Sequence, residues 1–300
     1  MNIFNLTLFL MLFISASVMA QVQNTDFSFS VSTALTLMYG NINEYVFDDK
    51  GKASELSWEM KPLLLVGTKI TGIVGCFKLE GSLFYAINED TGSIRDYDWN
   101  TSTGVMTNYS KHNIKQRGSI FSDANISYMY CLNEKYFFFP GAGIKFNNIQ
   151  LTAEDGYLEY PPGSSREDVY GKGIIYEQKY LIPYFGAGVQ YTEKQFNVSM
   201  SFYYSQFVRC NARDSHVKRD IDFYDEIKNG KFYNLKGDVA LMITDRTSVS
   251  LNCGWTYIPL SKGSSCYIDL STGEESQVFK NAGGIMVEYA DVGLSINLYL

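Results

Sequence analysis

Two short stretches, far apart in the chain, each carry a pair of ionisable side chains two residues apart. The first is Asp96-Tyr97-Asp98-Trp99 and the second is Arg213-Asp214-Ser215-His216. In an extended backbone, residues i and i+2 project to the same face, so the members of each pair can act together. One pair joins two carboxylates, and the other joins a carboxylate to an imidazole in a chain with only two histidines.

These pairs suggest hydrolytic chemistry. A carboxylate on one ring nitrogen of His216 fixes the tautomer of the imidazole, so Asp214 would orient a general base. Asp96 and Asp98 should share a proton or jointly hold a water, because two like charges do not both ionise freely at short range. A water between the two pairs could pass its proton to His216 and attack a carbonyl, which is peptide hydrolysis without a covalent intermediate.

The elements that must position these pairs are long alternating strands. Tyrosine and phenylalanine number 23 and 20, and many of them fall at alternate positions. From Phe27 to Tyr39, apolar and aromatic residues alternate with serine, alanine, threonine and methionine. This period-two pattern is longer than an ordinary globular strand, and it recurs near residues 122–132, 196–205 and 249–257.

The strand pattern predicts an all-β fold, a ten-stranded antiparallel transmembrane β-barrel with long extracellular loops and short periplasmic turns. The polar faces are too small and uncharged for a water-exposed sheet, and the apolar faces carry aromatics near their ends, as in outer-membrane barrels. A soluble exported β-sandwich is the alternative. Five long polar segments imply ten strands, and they lie near residues 40–56, 88–118, 154–172, 208–232 and 258–283.

Short polar turns are predicted near residues 71–72, 132–135, 192–194 and 244–247, and the last strand near residues 285–300. On this plan Asp96 and Asp98 lie just past strand three, at the start of the second long loop. Asp214 and His216 lie just past strand seven. Strands three and seven are four strands apart in a ring of ten, so they lie on nearly opposite walls. The two pairs should therefore face each other across the outer mouth of the barrel.

The N-terminus predicts export. Residues 1–20 contain no charged side chain and end in Val18-Met19-Ala20, which is typical of a signal peptide cleaved before Gln21. Residues 21–300 would then be one barrel domain. An uncleaved anchor is the alternative, and the lack of a cysteine after the cleavage site argues against a lipoprotein.

Composition argues against several other classes. The formal net charge is −7, and no glycine-rich phosphate loop is present, so nucleic acid is not an expected partner. The five cysteines do not have metal-ligand spacing, and we expect no metal site. Cys210 and Cys266 form the only pair considered for a disulfide.

With these motifs in place, the sequence resembles the omptins, outer-membrane endopeptidases built as ten-stranded barrels. Asp96-Tyr97-Asp98-Trp99 is similar to the omptin Asp-x-Asp-Trp motif, and Asp214-Ser215-His216 to its Asp-x-His motif. The resemblance implies a catalytic quartet of Asp96, Asp98, Asp214 and His216, in the outer membrane with the site facing outward. Weaker similarities support it at Glu55-Leu56-Ser57-Trp58, Ser110-Lys111-His112, Ile182-Pro183-Tyr184 and Lys280-Asn281.

The resemblance also implies a substrate pocket. Omptins typically cleave between basic residues, and acidic groups line the pocket for the residue before the scissile bond. Glu44 matches one of these substrate-binding acids, and the other falls on Ala212. A single carboxylate should bind arginine or lysine less tightly, because a lone, partly exposed ion pair contributes little. We therefore expect a relaxed preference for basic sites in peptide or protein substrates.

Omptin activity depends on lipopolysaccharide, bound through arginines on the outer wall. The matching positions here are Asn148 and Lys179, so one cation is lost and the other is a point charge instead of a bidentate clamp. Lipopolysaccharide or another outer-membrane lipid is the expected activator, with Lys179 as its lipid-binding residue and a weakened requirement. We expect no other cofactor and a monomer.

Two functions from different classes remain. The favoured hypothesis is an outer-membrane endopeptidase that activates water between an Asp/His pair and an Asp/Asp pair. The alternative is a catalytically silent barrel that acts as an adhesin or a narrow channel. The complete quartet discriminates between them, because a silent relative would have little need to keep it.

Overall fold

Thirteen antiparallel β-strands hydrogen-bond into one closed ring in the computed structural model, which describes residues 27–300. The ring closes because β1 pairs with both β2 and β13. The predicted signal peptide, residues 1–20, and its cleavage point lie outside the described residues. The strands are β1 (Phe27–Phe47), β2 (Lys52–Val74), β3 (Phe77–Ala86), β4 (Asp90–Asn100), β5 (Val105–Gln116), β6 (Ile120–Tyr128), β7 (Tyr130–Cys131), β8 (Tyr136–Glu159), β9 (Glu167–Glu193), β10 (Phe196–His216), β11 (Ile221–Thr244), β12 (Thr247–Asp269) and β13 (Phe279–Tyr299).

The thirteen strands divide the wall differently from the ten that were predicted, because two stretches of the wall are interrupted. β3 pairs with residues 65–74 of β2, and β4 pairs with residues 54–58 of the same strand. β5 and β6 divide the neighbouring β8 in the same way. β7 is a two-residue extension that also pairs with β8. β4 is thereby held above β3, at the end of the barrel that carries the candidate site.

A band of outward-facing apolar side chains surrounds one part of the barrel, as the alternation predicted. On β1, Leu35 and Tyr39 are exposed, whereas Ser32, Ala34 and Met38 point inward and are buried. Since exposed apolar side chains arranged all round a barrel mark a lipid-facing surface, we place the membrane-spanning segments at residues 27–39, 63–87, 120–146, 181–207, 232–257 and 289–300. Among residues 27–300, no helix is long and apolar enough to cross a membrane.

The five long polar segments predicted as extracellular loops are mostly strand in the structure. The turns at this end span only residues 48–51, 101–104, 160–166, 217–220 and 270–278, and those at the other end are shorter still, such as residues 194–195 and 245–246. Above the lipid band neither face of the wall contacts lipid, so hydrophobic alternation fades although strand pairing continues. The motif residues are therefore carried on paired strands, which hold side chains more rigidly than loops do.

The barrel interior changes character along its axis. Within the lipid band, Asp123 bonds the ammonium groups of Lys145 and Lys236 at 2.5 and 2.9 Å. Just above the band, apolar and aromatic side chains fill the interior, and Trp58 stacks on Tyr176 with ring centroids 5.0 Å apart. Ion pairs and packed aromatic rings thus fill the barrel interior directly below the candidate site.

All five cysteines are free. Cys210, on β10, is buried, and Cys266 lies on β12, with β11 between them. The pair considered for a disulfide is therefore not bonded in the structure. Strand β11 separates the two residues, because the sheet continues unbroken through this part of the wall.

Candidate active site

The two motif pairs lie on opposite walls of the barrel, above the lipid band. Asp96 and Asp98 are on β4 and point inward with their register partners on β2, Leu56 and Ser54. Asp214 and His216 are at the upper end of β10. β4 and β10 are separated by β5, β8 and β9 along one side of the ring.

The Asp214–His216 pair is joined by a hydrogen bond. The Nε2 atom of His216 lies 2.8 Å from Oδ2 of Asp214, and only 3% of the surface of Asp214 is exposed. The imidazole packs edge-on against Phe223, with ring centroids 5.3 Å apart. Burial lowers the pKa of His216, but the hydrogen bond and the charge of Asp214 outweigh burial and raise it above its ordinary value. Asp214 thus fixes the ring and leaves Nδ1 to face other groups.

The Asp96–Asp98 pair has a shared electrostatic environment. Burial, followed by the neighbouring charge of Asp98, raises the pKa of Asp96 to about 7. The carboxylate of Asp98 accepts a hydrogen bond of 3.1 Å from the side-chain amide of Asn108. Among the described residues, Oδ1 of Asp96 is buried without a hydrogen-bond partner. Asp96 can therefore hold a proton at neutral pH.

The four residues face a common space. The charges of His216 and Asp214 both act on the carboxyl group of Asp96 across the interior, His216 lowering and Asp214 raising its pKa. The structure thus brings the two predicted pairs together. A small polar molecule between them would meet an oriented imidazole on one side and a carboxyl pair on the other.

The predicted substrate-binding positions lie on the same inner wall. Glu44, on β1, is 3% exposed, and Ala212, on β10, points inward two residues before Asp214. Burial, with the charges of Asp214 and Asp225, holds the pKa of Glu44 well above its usual range. The nearby hydroxyl of Tyr176 acts in the opposite direction and lowers it.

Sequence reasoning missed Asp225, a buried acid on β11 whose register partner on β10 is Ala212. Burial raises the pKa of Asp225 to about 6, and the charge of Asp214 adds to the effect. The strand register would have revealed Asp225. If β10 and β11 are joined by a turn at residues 217–220, counting back from the turn along both strands pairs position 212 with position 225. The prediction of a loop at residues 208–232 concealed it.

The second histidine, His112, is set apart from this chemistry. It is buried on β5, and its ring nitrogens lie 3.0 Å from the carbonyl oxygen of Asp155 and 3.1 Å from the hydroxyl of Ser110. Burial lowers the pKa of His112, which favours the neutral ring. Its contacts are those of a structural residue that ties β5 to β8. Across residues 27–300, no cluster of three or more histidine, cysteine, aspartate or glutamate side chains has the arrangement of a metal site.

The predicted lipid contact lies on the outer wall. Lys179, on β9, is exposed, and its register partner on β8 is Asn148. Its ammonium group lies 2.7 Å from the carboxylate of Glu177, two residues before it on the same face. The lysine is therefore available to a headgroup, but part of its charge is already balanced.

Comparison with known proteins places the fold and the family. Residues 25–299 match the model of the Omptin family. The chain is 24% identical over 268 residues to the plasminogen activator of Yersinia pestis, covering 86% of this chain and 85% of that protein. It is 23% identical over 274 residues to the outer membrane protease OmpP of Escherichia coli strain K12, covering 84% and 85%.

Among solved structures, the crystal structure of the outer membrane protease OmpT from Escherichia coli superposes with a TM-score of 0.85. The sequence identity is 20%, and the superposition covers 95% of this chain and 100% of that one. At this identity the likeness shows that the two chains share a fold. It supports the predicted all-β barrel independently of the sequence match.

Proposed function

Because this chain belongs to the omptin family, we propose that it hydrolyses peptide bonds near basic residues, with water activated between Asp214–His216 and Asp96–Asp98. Family membership makes it an outer-membrane protease, in line with the names of its relatives. The observation that carries the mechanism is the mutual electrostatic influence of the two pairs across the interior. That influence places the two pairs within electrostatic reach of each other, and both lie above the lipid band on opposite walls.

His216 is the general base. Its Nε2 is held by Asp214, so Nδ1 accepts a proton from the attacking water. The resulting imidazolium is stabilised by the buried carboxylate, which lowers the cost of forming a cation inside the barrel. The oxygen of the water then bonds to the substrate carbonyl carbon, and the imidazolium returns its proton to the leaving amine as the C–N bond breaks.

Asp96 and Asp98 position the water and stabilise the negative charge that develops on the substrate oxygen. With a pKa of about 7, Asp96 carries its proton in about half of the molecules at neutral pH. A carboxyl that keeps its proton donates a hydrogen bond to the oxygen atom that becomes negative in the tetrahedral intermediate. The ionised partner accepts a hydrogen bond from the water. No side chain forms a covalent bond to the substrate in this scheme.

The decisive experiment is cleavage of a fluorogenic dibasic peptide by the refolded barrel. His216→Ala and Asp98→Ala should each lower kcat/KM by at least about 100-fold, since proton transfer by a positioned group contributes 10²–10⁴-fold. Asp168→Asn, at an exposed position on β9, is the matched control and should change little. Circular dichroism checks that each variant still folds, and full activity in either site variant would overturn the mechanism.

We further propose that an outer-membrane lipid, such as lipopolysaccharide, binds the outer wall at Lys179 and promotes activity. The support is an exposed cation just above the lipid band, where anionic headgroups lie. The contact from Glu177 at 2.7 Å weakens the positive field, which suits a modest lipid dependence. Running the same peptide assay with and without lipopolysaccharide tests this, and an unchanged rate would rule out the lipid as an activator.

A further inference from the structure

The inner wall beside Ala212 carries an acid that the motif comparison does not locate. Ala212 on β10 lies directly opposite Asp225 on β11 in the antiparallel register. Side chains at directly paired positions project from the same face, with Cβ atoms about 4.5–5.5 Å apart. The carboxylate of Asp225 therefore lies on the strand next to Ala212, which itself has only a methyl side chain.

Both Asp225 and Glu44 are nearly inaccessible from outside, and both have unused bonding capacity. Asp225 is 6% exposed. Within residues 27–300, one carboxylate oxygen of each residue, Oδ2 of Asp225 and Oε2 of Glu44, is buried without a hydrogen-bond partner. Buried carboxylates without partners are costly, so such atoms commonly mark a place where a polar ligand completes the bonding.

The two acids are close enough inside the barrel for their charges to interact. The charge of Asp225 acts on the carboxyl group of Glu44, and the charge of Asp214 acts on both. Ser265, the register partner of Asp225 on β12, lowers the pKa of Asp225 but does not offset burial. Burial and mutual repulsion raise the pKa of both carboxyls, an arrangement that a bound cation would relieve.

A glycine on β13 leaves the room that Asp225 occupies. A Cβ atom placed on Gly283 would lie 2.4 Å from Cγ of Asp225 and within 2.7 Å of both carboxylate oxygens. Gly283 pairs with Val46 on β1, two residues from Glu44. The side chain of Asp225 thus extends from β11 over β12 to the backbone of β13, towards the strand that carries Glu44.

We propose that Asp225 supplies, from β11, the second carboxylate of the substrate pocket, so that Glu44 and Asp225 together bind a lysine or arginine side chain. This proposal rests on the proposed peptidase function and deepens it by naming the substrate class of the same site. Asp225, the register partner of Ala212, replaces the acid that is missing at position 212, so the preference for basic residues is kept. Two carboxylates offer a cation more charge-assisted hydrogen bonds than one carboxylate does.

The test compares peptides that differ only at the residue before the scissile bond, arginine in one and norleucine in the other. Asp225→Asn should lower kcat/KM for the arginine peptide by about 10- to 100-fold, as expected for loss of a buried charged partner. Cleavage of the norleucine peptide should change by less than threefold. The double variant Ala212→Asp/Asp225→Asn moves the acid by one strand and should recover much of the arginine preference.

A binding measurement separates this proposal from the proposed function. Fluorescently labelled arginine and norleucine peptides are titrated against the barrel carrying His216→Ala, with and without Asp225→Asn, and followed by anisotropy. Tighter binding of the arginine peptide that disappears with Asp225→Asn supports the pocket even if the wild-type barrel cleaves nothing. Equal arginine preference with and without Asp225, in binding or in cleavage, would overturn it.

Discussion

Three neighbouring charges, two negative and one positive, act on the imidazole of His216. The carboxylate of Asp214 stabilises the imidazolium through a 2.8 Å contact, and Asp96 on the opposite wall acts in the same direction. The exposed guanidinium of Arg219, in the turn after β10, acts in the opposite direction. The same two neighbours, Asp214 and Arg219, shift the pKa of Asp96 in the same senses. Their charges therefore set the pH at which the base becomes neutral.

Replacing these neighbours should move the pH–rate profile in opposite directions. Because the base must be neutral, the acid limb of kcat/KM should lie above pH 6.5, the ordinary imidazole value. Asp214→Asn removes a charge that raises the pKa of His216, so the limb moves to lower pH, with a loss of at least about 100-fold in rate. Arg219→Gln removes a charge that lowers it, so the limb moves to higher pH.

The profile is measured as kcat/KM on the dibasic peptide between pH 5 and pH 9. Lys218→Gln, which removes a charge from the adjacent position in the same turn, is the control. Movement of the limb in the same direction for Asp214→Asn and Arg219→Gln would contradict the assignment of His216 as the base.

At the residue scale, the sequence was informative where chemistry depends on short spacing. Asp96 with Asp98, and Asp214 with His216, could be paired because i and i+2 share a face of any strand. Asp225 could not, because its relation to Ala212 depends on where one turn falls and on a register between two strands. The irregularities near Val208 lie farther from the turn than this pair, so the pairing depends on the position of the turn alone.

At the scale of elements, β13 shapes the pocket without contributing a charge to it. Gly283 lies where β13 passes the carboxylate of Asp225, and its missing side chain is the space into which that carboxylate fits. The nearest atoms belong to the end of a side chain and not to backbone. A methyl group there would displace Asp225 and leave the wall of the barrel intact.

Gly283→Ala should therefore weaken arginine recognition by geometry alone. We expect a loss of about 10-fold in kcat/KM for the arginine peptide, comparable to one hydrogen bond to a charged group, and little change for the norleucine peptide. Gly72→Ala is the matched control, because a Cβ there would have its nearest contact at 4.0 Å, to Phe27. An unchanged ratio of the two peptides in Gly283→Ala would show that Asp225 does not need this space.

Elements were predictable where lipid imposes a pattern. Residues 27–39 alternate because one face contacts lipid and the other the polar interior, and this strand was placed correctly, as was the barrel it implies. The upper part of the same strand, including Glu44, was predicted as loop. There the outer face contacts water and the inner face carries polar and acidic residues such as Glu44, so pairing continues without the hydrophobic signal.

At the scale of the whole molecule, the barrel interior above the lipid band contains several buried acids with raised pKa values. Burial raises the pKa of Glu44 well above its usual range, that of Asp225 to about 6 and that of Asp96 to about 7. Each carboxyl binds its proton more tightly in the folded barrel than in the unfolded chain. Folding is therefore linked to proton uptake at this end of the molecule, and stability must depend on pH.

The sign of that dependence follows from the raised pKa values. The stabilising contribution of a carboxyl with a raised pKa is complete below its ordinary value near 4 and is lost as the pH rises through the folded value. For Asp225 and Asp96 the loss extends to about pH 6 and about pH 7. The raised pKa of His216 adds to the trend, whereas the lowered pKa of His112 opposes it.

We therefore expect the melting temperature of the refolded barrel in detergent to fall between pH 5 and pH 8. Each kcal/mol lost corresponds to about 2–4 °C for a chain of 150–250 residues, so the fall should amount to several degrees. Glu44→Gln combined with Asp225→Asn should flatten the curve, because neutral amides have no proton to lose.

A peptide containing arginine should raise the melting temperature most at pH 8, where the carboxylates are ionised and its cation compensates them. A melting temperature that rises with pH over this range would contradict the picture of an acidic cavity that binds protons or a basic side chain.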